Sequence, residues 1–397
     1  MKILNIEDFF HPEAGYQLNV LSKYLVNMGH EVTILTSNMS NVPRHLIGFF
    51  DSENIEKKDS VYESKYNVKI LRLPVKRFLS RRAVFPPSIF DVILNENPDI
   101  VYVHGNTTLI AMQYLLKRKR MNLPFIMDCH MLEIASKNKF KNVFEWVYKH
   151  IFTPIIIKDN IQIIRTQDDN YLQKCLNIPV EQCPYIPFGT DVKLFCPNEN
   201  IRKKYRKKLG LDEDDFVFIY AGKLDESKGG LFLANALMEE IKSKKNIKFI
   251  IIGKTNGLDG DKIEKIFNMS KNYIVRLGTQ KYEDLAKYYQ IADVAIFPKQ
   301  CSLSFYDVQA CGLPVVFENN SINIDRAKNN NALVFKENDI NDLRKTIREI
   351  ADLSFDKFNE MRKASIDLIF KNYNYEDIAK KYYRVLIHCY NSYYNKS

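Results

Sequence analysis

Two lysines five residues apart, Lys223 and Lys228 in the stretch YAGKLDESKGG at 220–230, carry the chain's most pointed chemistry. An apolar run ends at Gly222, the lysines bracket a polar loop, and Gly229-Gly230 leads into a helical pattern from Leu231. A helix start offers unpaired amides and the positive end of its dipole, a seat for an anion. Two ammonium groups beside it suit a diphosphate whose charge grows as it leaves. Each charged hydrogen bond contributes about 1.5–3 kcal/mol, roughly tenfold to a hundredfold in rate when it forms mainly in the transition state. The same spacing also fits an ordinary solvated loop, and the lysines alone do not decide.

A second polar cluster lies in FPKQCSLSFYDVQACGLPVVFENN at 297–320. A strand ends at Pro298, a loop with Ser302 and Ser304 follows, then a short helix with Asp307, a Cys311-Gly312-Leu313-Pro314 turn and a further buried strand. His104 and His130 each close an apolar run, where a lone histidine is more often structural than catalytic. Asp212, Glu213, Asp214 and the pair Asp259 and Asp261 offer a D-x-D spacing for a metal. They sit in loops at the wrong end of the strands, so no metal is expected.

These residues need a scaffold that brings strand ends together. Strand-length apolar runs recur with helical patterns between them, which predicts parallel sheets built from strand–helix–strand units. The first half predicts strands at 2–7, 31–37, 68–74, 99–105, 124–130 and 162–167; the second at 216–222, 248–253, 273–278, 293–298, 314–318 and 332–336. Leu18, Leu21, Leu25 and Val26 share one face of a helix that Gly29 stops. The segment 38–67 has no clear period and reads as a variable surface loop. Residues 186–215, with glycine, proline and charge but few strand signals, read as a linker. From ASIDLIF onward the pattern is helical.

At 397 residues the chain exceeds a single core, and 46% hydrophobic with 27% charged residues is the balance of a folded soluble protein. No apolar run is long enough to cross a membrane and the N-terminus lacks the pattern of a signal peptide, so a cytoplasmic location is expected. The seven cysteines form no C-x-x-C pair and read as small core residues. A net charge of +10 favours an anionic partner. Basic and aromatic residues mix at 76–90 and 115–125, a pattern equally consistent with a membrane-facing rim and with a solvated face. Nucleic acid is not expected, because no reading module is recognisable.

The two polar clusters together resemble the signature of family-4 retaining glycosyltransferases of the GT-B fold. That signature has an arginine and a lysine in G-R-L-x-x-x-K-G, then two glutamates ahead of A-x-G-x-P-V-V; here the chain reads Gly222-Lys223-Leu224 to Lys228-Gly229, then Asp307 to Val316. HPEAGYQLNVLSKYLVNMGHEVTILTS resembles the family's opening glycine loop, helix and strand, which implies Gly15 beside the donor diphosphate. PFIMDCH places His130 where the family has an active-site histidine. IPFGTDVKLF resembles the interdomain linker, and LGTQKYEDLAKYYQIADVAIFP implies Gly278 near the base. Three departures stand out. Lys223 replaces the arginine and loses its planar fork, Asp307 replaces the ribose-binding glutamate, and Lys299 occupies the position of the glutamate that contacts the donor sugar. The loop Ser302-Leu303-Ser304 would face the diphosphate with backbone amides.

The resemblance implies an α/β protein of two Rossmann-like doubly wound domains facing across a cleft. It implies an acceptor-binding domain at 1–190, a nucleotide-sugar-binding domain at 191–374 and a C-terminal helix, 375–397, crossing back to the first. The expected activity is transfer of a sugar from a nucleoside diphosphate sugar to a hydroxyl of a glycan or lipid-linked acceptor, with retention of configuration. His130, Lys223 and Lys228 are the expected catalytic groups; Gly15, Gly222, Gly278, Ser302, Leu303, Ser304 and Asp307 the donor-binding ones. The nucleotide sugar is a co-substrate, with no cofactor and no metal, and peripheral contact with an anionic membrane at its inner face is expected. A non-catalytic nucleotide- or glycan-binding subunit and a nucleotide-sugar epimerase of the same fold are the alternatives.

Overall fold

The structure, a computed structural model, describes residues 1–42, 53–79, 82–131, 140–255 and 259–395. It divides into two compact units, Met1–Phe188 with Tyr375–Ser397, and Gly189–Asn374.

The first unit is built on six parallel strands: β1 (Lys2–Glu7), β2 (Glu31–Ser37), β3 (Val68–Leu73), then β6 (Ile100–Val103), β7 (Phe125–Cys129) and β8 (Ile163–Arg165). A short antiparallel pair, β4 (Arg77–Leu79) and β5 (Arg82–Val84), separates the two sets. The sheet order is β3-β2-β1-β6-β7-β8. The chain therefore moves outward from β1 in one direction, then returns to β1's other side, so β1 and β6 form the switch point beyond which a crevice opens. β6 is buried at every position, the mark of a strand covered on both faces. The helix Gln17–Asn27 covers one face with Leu18, Leu21 and Leu25 buried, while Val26 is half-buried. Gly29 ends it at φ +87°, a conformation that favours glycine. The last helix, Tyr375–Tyr394, belongs to this unit: the Tyr375 hydroxyl donates to Gln17 O at 3.1 Å and Tyr393 to Asn122 Oδ1 at 2.7 Å.

The second unit repeats the design with β9 (Phe216–Ala221), β10 (Ile247–Ile252), β11 (Tyr273–Leu277), β12 (Val294–Phe297), β13 (Val315–Glu318) and β14 (Ala332–Phe335) in the order β11-β10-β9-β12-β13-β14. Its switch point lies between β9 and β12. Both strands are pinned at their N-terminal ends by one buried ion pair. Asp293, just before β12, accepts from Arg206 Nη2 at 2.8 Å and from the Val217 amide of β9 at 2.8 Å. Arg206 also donates to four backbone carbonyls, so its charge is fully hydrogen-bonded. Removing Asp293 alone would leave an uncompensated buried charge, a loss of about 3–5 kcal/mol.

Two expectations are corrected here. Part of the segment read as a loop at 38–67 is the helix Ile55–Tyr66, with residues 43–52 outside the described ones. Part of the segment read as linker at 186–215 is the helix Glu199–Lys208. The basic stretch 76–90 contains β4 and β5, while Ser80 and Arg81 lie outside the described residues.

Candidate functional site

In the second unit, the loops leaving β9 and β12 carry the predicted lysines and serines to the carboxyl edge of the sheet, at the switch point. Glycines let these loops meet. Gly229, at φ +70°, has a Cβ position only 2.9 Å from Lys299 Cγ and 3.1 Å from Pro298 Cβ. At Gly230 a Cβ would fall 2.6 Å from the Leu224 carbonyl carbon. The glycine pair is therefore a packing requirement that draws the two loops together.

Asp225 turns the first loop. Its Oδ1 accepts from the Lys228 amide at 3.1 Å and from Ser227 Oγ at 2.6 Å, closing the tight turn Glu226–Lys228. Lys228 is thereby aimed at the second loop, where its Nζ donates to Gln300 O at 3.2 Å. Burial lowers the pKa of its ammonium; Cys301 and Asp225 oppose the shift, and the cations Arg326 and Lys223 add to it. Lys223 thus lies within electrostatic reach of Lys228. In the second loop Ser302 Oγ and Ser304 Oγ share a hydrogen bond at 2.7 Å, and Leu303 precedes the helix Ser304–Ala310. Gly222 begins the first loop, its amide donating to Ile252 O at 3.0 Å.

Three further predicted residues, Lys299, Asp307 and Gly278, lie in the same unit. Lys299 is committed inside its own unit: its Nζ donates to Glu318 Oε1 at 2.7 Å and to Asn338 Oδ1, and lies over the Phe232 ring. The cation at the expected donor-sugar position therefore has a buried counter-charge at the end of β13. Asp307 is 4% exposed, and its Oδ1 accepts from the hydroxyls of Thr190 and Tyr282. Burial raises its pKa to about 7, against the two hydroxyl bonds. Its Oδ2 takes no hydrogen bond among the described residues. Gly278 ends β11, the edge strand, with β10 between it and β9; a Cβ there would meet nothing within 4 Å.

The first unit holds a separate polar cluster at its own switch point, where β1, β6 and β7 end. Asp128, inside β7 and fully buried, makes three hydrogen bonds, with Tyr102 OH at 2.7 Å and His104 Nδ1 at 2.9 Å on Oδ2 and with Gly105 N at 2.6 Å on Oδ1, and His130 Nε2 lies 3.2 Å from Oδ1. Burial pushes its carboxyl up, but His130 and His104 outweigh this and hold it well below the usual range. His130 Nδ1 lies 2.9 Å from Thr166 Oγ1, whose one proton is given to Cys129 O at 3.0 Å. His130 is stacked on Phe188 at 5.3 Å; burial disfavours its charge, but Asp128 outweighs burial and raises its pKa. His104, Asp128 and His130 are close enough to hold a metal ion on distance alone.

Sequence reasoning missed the acids around this cluster. Glu7, at the end of β1, has a raised pKa, through burial and despite the histidines nearby. Asp8 is 1% exposed, 3.8 Å from Arg82 of β5, and burial lifts its carboxyl to about 7. The available signal was an acid within or beside a strand buried on both faces, which demands partners. Gly15 lies in this unit, between the His11–Ala14 turn and the helix Gln17–Asn27.

The family described as Glycosyl transferases group 1 matches residues 201–368, and Glycosyltransferase Family 4 matches residues 14–158. The chain is 32% identical over 139 residues to the alpha-monoglucosyldiacylglycerol synthase of Acholeplasma laidlawii, covering 33% of this chain and about a third, 34%, of that relative's length. It is 25% identical over 302 residues to the Escherichia coli UDP-Gal:alpha-D-GlcNAc-diphosphoundecaprenol alpha-1,3-galactosyltransferase, 72% of this chain and 74% of that one. The solved structure of Anabaena Alr3699/HepE in complex with UDP and glucose superposes with a TM-score of 0.71 at 15% identity over 98% of this chain and 100% of that one, a likeness of fold. Two parallel α/β units with matching order and two family matches covering the body of both lead to one conclusion: the chain belongs to the family-4-like glycosyltransferases of the GT-B fold.

Proposed function

We propose that this glycosyltransferase takes a hexosyl unit from a nucleoside diphosphate sugar and places it on a hydroxyl of a lipid-linked or glycan acceptor, with retention at the anomeric carbon. The observation that carries the reading is the reach of Lys228 from the loop after β9 to Gln300 O of the loop after β12, with Lys223 earlier on the same loop as Lys228. As the bond to the anomeric carbon breaks, negative charge accumulates on the diphosphate, and preorganised ammonium groups stabilise it electrostatically. Asp307 would address the ribose through Oδ2, the oxygen that Thr190 and Tyr282 leave without a bond. The acceptor proton passes to a phosphate oxygen of the leaving group, while His130, whose pKa Asp128 raises, acts as a positive donor. Retention rests on the family resemblance. The HepE complex supports UDP as the nucleotide to test first.

A lipid-linked acceptor is supported by the names of two relatives and by one face of the first unit. Along Lys141–Asp159, Phe144, Tyr148, Phe152 and Ile156 face inward, while Val143, Trp146, His150, Pro154 and Ile157 face outward at helical spacing. Trp146, the chain's single tryptophan, is 61% exposed and Phe140 71%. Lys141, Lys149 and Lys158 flank this face. An exposed apolar stripe with tryptophan and lysine fits the interface of an anionic bilayer. Among the described residues no helix is long and apolar enough to cross one.

The test is release of free nucleoside diphosphate from UDP-, GDP- and ADP-sugars, with and without a lipid-linked acceptor. Acceptor-dependent release supports transfer. Binding of a donor without release would favour the non-catalytic reading, to which the Lys299–Glu318 pair lends its one observation. A rearranged donor formed without acceptor would favour epimerisation.

A further inference from the structure

Beside the two lysines stands a third cation that the family signature does not include. Arg326 closes the short helix Ser321–Arg326 that follows β13. Its Nη1 donates to Cys301 Sγ at 2.8 Å and Ser302 O at 3.2 Å and lies 3.5 Å from Cys301 O. The guanidinium rests over the rings of Phe305 and Tyr306, at 5.4 and 5.2 Å. Lys228 holds Gln300 O. Two cations are therefore fastened to three consecutive carbonyls of one loop.

The arrangement is unbalanced. Arg326 forms no ion pair with a carboxylate among the described residues, and its Nε and Nη2 donate to no protein acceptor there. One nitrogen and the ring stack hold the guanidinium in place while the rest of its fork stays unused. Like charges gathered on one loop repel, and an anion between them relieves that repulsion. A planar guanidinium binds a phosphate through two parallel N–H bonds, a geometry that Lys223 cannot supply.

We propose that Arg326 is the third cation of the diphosphate seat and grips a phosphate through Nε and Nη2. This rests on the reading of Lys223 and Lys228 as that seat. The occupant is a nucleoside diphosphate or inorganic pyrophosphate, which share the chemistry.

The experiment is isothermal titration of the full chain with pyrophosphate and with UDP at several salt concentrations, comparing wild type, Arg326→Gln, Arg326→Lys and Lys228→Ala. Arg326→Gln is expected to weaken both ligands about 10–100-fold and to flatten the salt dependence, because one fewer charge faces the anion. Arg326→Lys keeps the salt dependence, loses the fork, and weakens binding less. If Arg326→Gln does not fold, the Arg326→Lys comparison carries the test. Weakened binding by Arg326→Gln with an unchanged salt slope means that Arg326 only shapes the loop, and overturns the proposal. Unchanged affinity in Arg326→Gln with binding lost in Lys228→Ala removes Arg326 and leaves the lysine seat standing. Wild-type protein that binds neither pyrophosphate nor UDP, GDP or ADP removes both.

Discussion

Replacing Gly229 by alanine tests whether the glycine pair sets the distance between the two switch-point loops. An L-residue held at φ +70° costs about 1–2 kcal/mol relative to glycine. The new methyl would sit 2.9 Å from Lys299 Cγ and 3.1 Å from Pro298 Cβ. The lysine stem can swing aside, but the proline ring is tied to the backbone, so Pro298–Gln300 must shift; such overpacking costs roughly 1–3 kcal/mol. Together these give about 2–4 kcal/mol, and a unit of this size loses on the order of 2–4 °C in Tm per kcal/mol. Because the shift moves Gln300 away from Lys228 Nζ, nucleotide binding should weaken as well. Gly278→Ala is the control: with negative-φ backbone and no atom within 4 Å of the Cβ position, it should change stability by less than about 0.5 kcal/mol. Thermal and urea unfolding of both variants, followed by UDP titration, give the comparison. Gly229→Ala behaving like Gly278→Ala in both assays would refute the packing argument.

Further tests follow from the two clusters and the exposed face. Asp307 has a folded pKa raised to about 7 from an ordinary 3.8, so it binds its proton more tightly folded than unfolded; the stability it contributes is present below pH 4 and is lost as pH rises to 7. Asp307→Asn, stabler relative to wild type at pH 7.5 than at pH 5 by up to roughly 2.5 kcal/mol, is the expected result of urea unfolding at both pH values; a constant difference contradicts it. His130→Ala should lower acceptor-dependent transfer roughly tenfold to a hundredfold, as loss of a charged donor does, while UDP affinity stays near wild type; wild-type transfer would remove His130 from the site. Trp146 fluorescence should shift to the blue on mixing with phosphatidylglycerol vesicles, and Trp146→Ser should sediment with them about tenfold less well. Added salt should weaken the wild-type association through Lys149 and Lys158. An unshifted spectrum counts against a membrane face.

The parallel strands were legible because strands buried on both faces read as unbroken apolar runs; β6 and β12 are buried at every residue. What stayed hidden was structure whose inward positions are charged. The helix Ile55–Tyr66 buries Ile55, Asp59 and Tyr62, and Asp59 is paired with Arg72, so one third of its core face looked polar. In Glu199–Lys208 the buried position is Arg206, satisfied by Asp293 and four carbonyls. β4 and β5 are three residues each, too short for alternation to register. At the site, the loop glycines, serines and lysines were readable as a local pattern. The partners that define their state were not: Glu318 is 19 residues from Lys299, and Thr190 is 117 from Asp307. Asp128 was passed over although it organises both histidines, because a single acid in a strand carries no spacing.

The claim on which the account turns is that Lys223 and Lys228 recognise the second phosphate of the donor nucleotide. Titration of wild type and a Lys223→Met/Lys228→Met variant with UDP and UMP tests it most directly, since base and ribose are common to both ligands. Wild type should prefer UDP by about a hundredfold or more, and the double variant, which keeps Arg326, should show that preference reduced at least about tenfold, the worth of one charged hydrogen bond. A double variant that keeps the full preference for UDP would contradict the claim.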